Sequence, residues 1–197
     1  MLIYVHGFNS SPLSFKATLL RKRMTELGRA DAIVCPELPH RPAAAIELLS
    51  QLMREHAAER PVLIGSSLGG YYATWFAERY EARAVLVNPA VRPYELLSSL
   101  IGLQTNLYSG VQYDFTTEHV AELRALEVET IHPERYLLLV GTADEVLDYR
   151  QALERYRGAR QILDEHGDHG LSNFERYVDR ILEFSGIAEA PHAGCAA

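Results

Sequence analysis

Six short apolar runs punctuate the chain: Leu2–His6, Ala32–Pro36, Pro61–Gly65, Ala82–Asn88, Tyr136–Gly141 and Arg160–Leu163. Several are apolar at successive positions with no polar alternation, the pattern of strands buried on both faces of a parallel sheet. Between them the spacing shifts to the three-and-four rhythm of helices. Phe15, Leu19, Leu20, Met24 and Leu27 fall on one stripe, and Gly28 stands where a carboxyl-terminal cap belongs. Ile46, Leu49, Leu52 and Met53 form a second stripe, and Leu68, Tyr72, Trp75 and Phe76 a third. Ser172-Asn173-Phe174-Glu175 reads as a capping box that opens a last helix through Phe184, with Gly186 beyond it. This alternation predicts an α/β fold, an open and mostly parallel sheet of about six strands with helices on both faces.

Two stretches break the rhythm. Pro89–His132 separates two strands by far more chain than a simple crossover needs. It carries Tyr94, Leu97, Leu100, Leu107, Tyr113 and Phe115, too apolar a set for a solvated linker. Residues 89–135 are therefore expected to form a helical, cap-like insertion whose tyrosines and leucines supply an apolar pocket. After Ile187 the pattern stops, so residues 1–186 are expected to make one domain and 187–197 a disordered tail.

Composition narrows the function. The 197 residues are 48% hydrophobic and 23% charged, which is globular, and the net charge of −7 argues against a nucleic-acid partner. No apolar run reaches the roughly 20 residues that span a bilayer. Cys35 and Cys195 are the only cysteines, so a disulfide framework is not expected and a reducing, cytoplasmic location is. Met1 runs straight into Leu2-Ile3-Tyr4-Val5, with no basic segment and no small-residue cleavage site, so no signal peptide is expected.

The chemistry concentrates at three places. Gly65-Ser66-Ser67-Leu68-Gly69-Gly70 follows an apolar strand and opens a helix, the setting of a nucleophile elbow centred on Ser67. The turn is so tight that side chains two residues to either side of the serine would collide. Ser66 is the weaker nucleophile candidate because it belongs to the strand end. A phosphate cradle is disfavoured, since no Lys follows and G-x-G-x-x-G is absent. His6-Gly7-Phe8 follows the first strand, where the Phe8 N–H can join the Leu68 N–H in an oxyanion hole while His6 fixes the loop. A serine nucleophile needs a base and an orienting carboxylate, in the order Ser, acid, His. Asp144 lies in the turn after Leu138-Leu139-Val140-Gly141, and His169 in the loop after the last strand. Asp148 competes with Asp144 but falls where a helix should start; His166 competes with His169 but lies nearer the strand end. Asp164, His166, Asp168 and His169 admit a metal reading, disfavoured by their crowding on one loop and the lack of an H-E-x-x-H helix. His40, His56, His119, His132 and His192 have no assignable partner, and Cys35 reads as a small buried hydrophobe.

Together, His6–Pro12, Gly65–Gly70, Asn88-Pro89-Ala90 and Gly141–Tyr149 resemble the YqiA-like esterase family of bacterial α/β-hydrolases, over roughly Met1 to Gly186. The resemblance implies a compact hydrolase that lacks the usual amino-terminal antiparallel hairpin. It also implies a carboxylic-ester hydrolase for short acyl chains with no metal and no organic cofactor. By matching positions it makes Ser67 the nucleophile, Asp144 the acid and His169 the base. Where the family often has Asn-His, this chain has Asp168-His169, a second carboxylate beside the base. The expected partner is a small-molecule ester; a thioester, or a ligand bound without catalysis, are the alternatives.

Overall fold

The apolar runs pair as the pattern predicts. In the computed structural model, which describes residues 1–187, strands β1 (Leu2–Val5), β2 (Ile33–Val34), β3 (Val62–Ser66), β4 (Ala84–Val87), β7 (Tyr136–Gly141) and β8 (Arg160–Asp164) form one sheet in the order β2-β1-β3-β4-β7-β8. Every neighbouring pair is parallel. Successive side chains alternate between faces, which splits the core in two. Ile3, Val5, Leu63, Leu86, Leu138 and Val140 pack under α2 (Pro42–Glu55), α3 (Leu68–Arg79), α5 (Thr117–Arg124) and α6 (Tyr149–Arg155). Leu2, Tyr4, Ile64, Val85, Val87 and Leu139 pack under α1 (Phe15–Glu26) and α7 (Val178–Phe184). The chain winds outward from β1 to β2, then crosses back to β3 and continues the other way. That reversal opens a crevice beyond the carboxyl ends of β1 and β3, the standard place for a ligand in an open α/β sheet.

Residues 89–135 form the expected insertion, with a strand pair added to its helices. They hold α4 (Pro93–Leu97) and α5, but between these lies an antiparallel hairpin, β5 (Gly102–Thr105) with β6 (Gln112–Phe115). Its strands read exposed on one side and half-buried on the other, an alternation too short to stand out from its apolar neighbours. Tyr94, Leu97 and Phe115 are buried in the core, whereas Leu100, Ile101 and Leu103 are exposed.

Three local readings also change. Helix α1 buries Ala17, Leu20 and Met24, while Phe15 and Leu27 stand outside the stripe and are exposed. The carboxyl-terminal helix begins with a 3₁₀ turn, Phe174–Tyr177, and Ser172 does not cap it. Asp168 takes both the Ser172 N–H (2.8 Å) and its hydroxyl (2.5 Å). A capping box does occur, at α5, where Thr116 exchanges bonds with His119 in the position usually held by Glu or Gln. Among the described residues no helix is long and apolar enough to cross a membrane. The expectation for the tail, with His192 and Cys195, falls outside the described residues apart from Ile187.

Candidate active site

Ser67 sits on the turn from β3 into α3 with φ +53° and ψ −119°, a backbone that side-chain-bearing residues rarely adopt. Its neighbours hold it there. The Ser67 N–H donates to Val87 O (3.0 Å), and its carbonyl accepts from Gly70 (2.9 Å) and Ala90 (3.1 Å). A Cβ on Gly65 would overlap the backbone of Gly69, and one on Gly69 would overlap the carbonyls of Val5 and His6. The strand, the helix and β1 therefore meet at a separation that only glycine permits.

The loop after β1 closes on the serine from the other side of the crevice. A Cβ on Gly7 would lie 3.2 Å from Ser67 Cβ, so the loop runs directly past Ser67. His6 is buried, and burial lowers its pKa. Its Nε2 accepts from Leu38 N–H (3.1 Å), which leaves Nδ1–H to donate to Gly7 O (3.0 Å). Leu68 is the first residue of α3, where backbone N–H groups have no partner within the helix. Neither it nor Phe8 donates its N–H to any acceptor among the described residues.

His169 and Asp144 meet on the loops after β8 and β7. His169 Nδ1–H donates to Asp144 Oδ2 (2.8 Å) and Oδ1 (3.0 Å). The Asp144 side chain is 1% exposed, that of His169 22%. Burial alone would push the Asp144 carboxyl up, but bonds from His169, Leu147 N–H and Val146 N–H hold it below the ordinary value. Ser67, Gly7, Phe8 and His169 line one cavity of about 620 Å³ with Leu107 and Tyr108 of the hairpin. His169 Nδ1 is engaged by Asp144, and no hydrogen bond joins its ring to Ser67 Oγ. Of the apolar residues 94–115, only Leu107 and Tyr108 reach this cavity. Tyr113 instead lines a neighbouring cavity of about 290 Å³ with Phe8 and His40.

Of the competing residues only Ser66 also lines the Ser67 cavity. Asp148 is the amino-terminal cap of α6, accepting from Arg150 N–H at 3.0 Å. Ser66 is the buried last residue of β3. Asp164 is buried and accepts from Asn173 (2.5 Å) and Tyr177 (2.7 Å). His56 pairs with Glu59 and His132 with Glu78, both at 2.7 Å; His40 stacks on Tyr113. Cys35 is half-buried, and burial pushes its thiol up to about 11.

Three residues to which the sequence assigns no role build the surroundings, although Asn88 and Asn9 lie inside the segments that carry the resemblance. Buried Asn88, at φ +42°, directly follows β4 and holds the His169 loop. Asn9 ties the loop after β1 to the hairpin: Tyr113 OH donates to its Oδ1 (2.5 Å) and Leu107 N–H to its carbonyl (3.1 Å). Lys16 donates to Gly170 O (2.6 Å) from the wall of the cavity. Asn88 stands in the Asn88-Pro89-Ala90 segment of the resemblance, and a polar residue after an all-apolar strand is the local signal of its role.

Known proteins match the chain and its fold over most of its length. The chain is similar to the YcfP protein of Salmonella paratyphi A, 26% identical over 95% of this chain and 99% of that one. A crystal structure from Agrobacterium vitis S4 superposes with a TM-score of 0.76 at 21% identity, covering 93% of this chain and 87% of that one. Mouse alpha/beta hydrolase domain-containing protein 10 superposes with a TM-score of 0.68 at 18% identity, covering 92% and 89%. The fold is that of the α/β-hydrolases. The model of the uncharacterised protein family UPF0227 matches residues 1–186, and the chain belongs to that family.

Proposed function

We propose that the protein is a serine esterase that hydrolyses small carboxylic esters through an acyl-enzyme. The observation that carries this reading is the Asp144–His169 pair, at 2.8 Å, on the same cavity as a serine held at φ +53°. In this mechanism Ser67 Oγ attacks the ester carbonyl and His169 Nε2 takes its proton. Asp144 keeps Nδ1 protonated, so Nε2 is the nitrogen free to act as base. The Phe8 and Leu68 N–H groups hold the oxyanion, and His169 returns the proton to the leaving alcohol. Water, deprotonated by His169, then releases the acid and restores Ser67. A cavity of about 620 Å³ walled by Phe8, Leu107 and Tyr108 suits a small apolar acyl or alkoxy group.

The test is labelling with a fluorophosphonate, which reacts only with an activated serine. Wild type and Ser66→Ala should label and hydrolyse p-nitrophenyl esters, with short acyl chains preferred across a chain-length series. Ser67→Ala should do neither, losing about 10⁶ in kcat. Full activity in Ser67→Ala would remove the proposal.

A further inference from the structure

Among the described residues no carboxylate is in contact with the Lys16 ammonium. Lys16 sits in the second turn-forming position of α1, half-buried, on the wall of the cavity that also holds Ser67 and His169. Its ammonium donates to Gly170 O at 2.6 Å and, among the described residues, forms no ion pair. Two carboxylates are near enough to act on it, Asp168 and Asp144. Both are already engaged: Asp168 by Ser172 N–H and hydroxyl, Asp144 by His169, Val146 and Leu147. Burial pushes the ammonium down to about 8. A partly buried charge in this condition calls for a partner.

The cavity is built to supply one from a ligand. The chain carries a net charge of −7, yet no Asp or Glu lines this cavity, and Lys16 is its one charged side chain apart from the titratable His169. The 12-residue helix α1 begins in the same wall. Its first N–H groups, those of Phe15 and Lys16, have no partner within the helix, and its positive end faces that side. Ser14, the residue before it, is 8% exposed, and its Oγ is buried with no hydrogen-bond partner. An ammonium with free donors, a helix start and an unpaired hydroxyl converge on one wall.

We propose that the substrate is an ester with a second, anionic group, a carboxylate, which binds against Lys16 and the start of α1 while the ester carbonyl lies at Ser67. One cation with one carbonyl already bound matches a single negative charge. This inference rests on the esterase reading and adds the substrate class to it.

The test compares esters that differ only in that charge. Ethyl hydrogen adipate against ethyl hexanoate places the carboxylate on the acyl side; 4-butyryloxybenzoate against phenyl butyrate places it on the alcohol side. Wild type should prefer the charged member of at least one pair by about tenfold or more in kcat/KM, mainly through KM, the scale of one charge-assisted hydrogen bond. Lys16→Met should bring that ratio to about one, and Lys16→Arg should keep most of it. No preference in either pair, or a preference that survives Lys16→Met, overturns the proposal. Turnover of the neutral esters and fluorophosphonate labelling report separately on the esterase reading. A binding arm needs no turnover: calorimetric titration of Ser67→Ala with ethyl hydrogen adipate should give binding that Ser67→Ala/Lys16→Met loses. Equal binding in the two, or none in either, also overturns it.

Discussion

Asn88 Nδ2 donates to the carbonyl of His169 at 2.9 Å, from the end of a strand two places away in the sheet. The same amide donates to Asp168 O at 2.9 Å, and its Oδ1 accepts from Gly141 N–H at 2.8 Å. One buried side chain therefore ties together the carboxyl ends of β4 and β7 and the loop after β8. The loop that presents His169 is held from its backbone as well as through its ring. The His169 N–H itself donates to Glu145 Oε2 at 3.0 Å.

Asn88→Asp tests that tie with almost no change of shape. It replaces a donor facing two carbonyls with a carboxylate oxygen, leaving both carbonyls unpaired and repelled. Unsatisfied buried groups cost about 1–3 kcal/mol each, more when charged. Thermal melts should show a clear loss of stability, and kcat for p-nitrophenyl butyrate should fall at least about tenfold as His169 shifts. Wild-type kcat in this variant would show that the tie does not position His169.

The two acids after β7 separate by mutation. Asp144→Asn leaves a carboxamide against His169 Nδ1 and favours the wrong tautomer, so kcat should fall by about 10⁴. Asp148 caps α6 and lies outside the cavity. Asp148→Ala should cost about 1 kcal/mol of stability, typical of a lost cap, and less than about tenfold in kcat. The reverse order of effects would make Asp148 the acid.

Asn9 couples the loop bearing Phe8 to the hairpin, so its removal should be felt in catalysis. Asn9 has φ +51°, which Gly tolerates and Ala does not. Asn9→Gly therefore keeps the backbone while removing the bonds to Tyr113 and Gln104. Amide exchange across 102–115 should quicken, and kcat/KM should drop several-fold. Unchanged exchange would mean that the hairpin is held by packing alone.

These residues also mark where the sequence was legible. The four central strands are visible because parallel strands buried on both faces are apolar throughout, whereas the edge strands β2 and β8 show only a short apolar pair. Ser67 and Asp144 are visible because each follows such a strand, and His169 because it follows the last strand in the order Ser, acid, His. Asn88, Asn9 and Lys16 act through contacts with residues 81, 104 and 154 positions away, which no local spacing encodes. Ser172 shows the opposite failure. Its local signal for a cap was sound, but Asp168, four residues earlier, competed for the same hydroxyl and won. The hairpin at 102–115 was hidden because four-residue strands with one half-buried face hardly differ from an apolar helical turn.

Acid stability gives a last prediction, centred on Asp164 behind the His169 loop. Burial would raise the Asp164 pKa, but bonds from Tyr177, Asn173 and the His166 N–H lower it below the ordinary aspartate value. The folded pKa then lies below the unfolded one, which is about 3.9. Between the two the unfolded chain binds more protons, so stability rises with pH there. The contribution is fully present above the unfolded pKa and is lost as pH falls through the folded one. Asp164→Asn removes the charge but keeps an oxygen for Tyr177, and at pH 7 it should cost about 1–3 kcal/mol, the worth of hydrogen bonds to a charged group. Near pH 3 and below, wild-type Asp164 becomes protonated and the difference between the two proteins should shrink. Urea unfolding of both proteins from pH 7 down to pH 3 measures this directly. A gap that stays constant with pH would mean that Asp164 stabilises the loop by shape and not by charge.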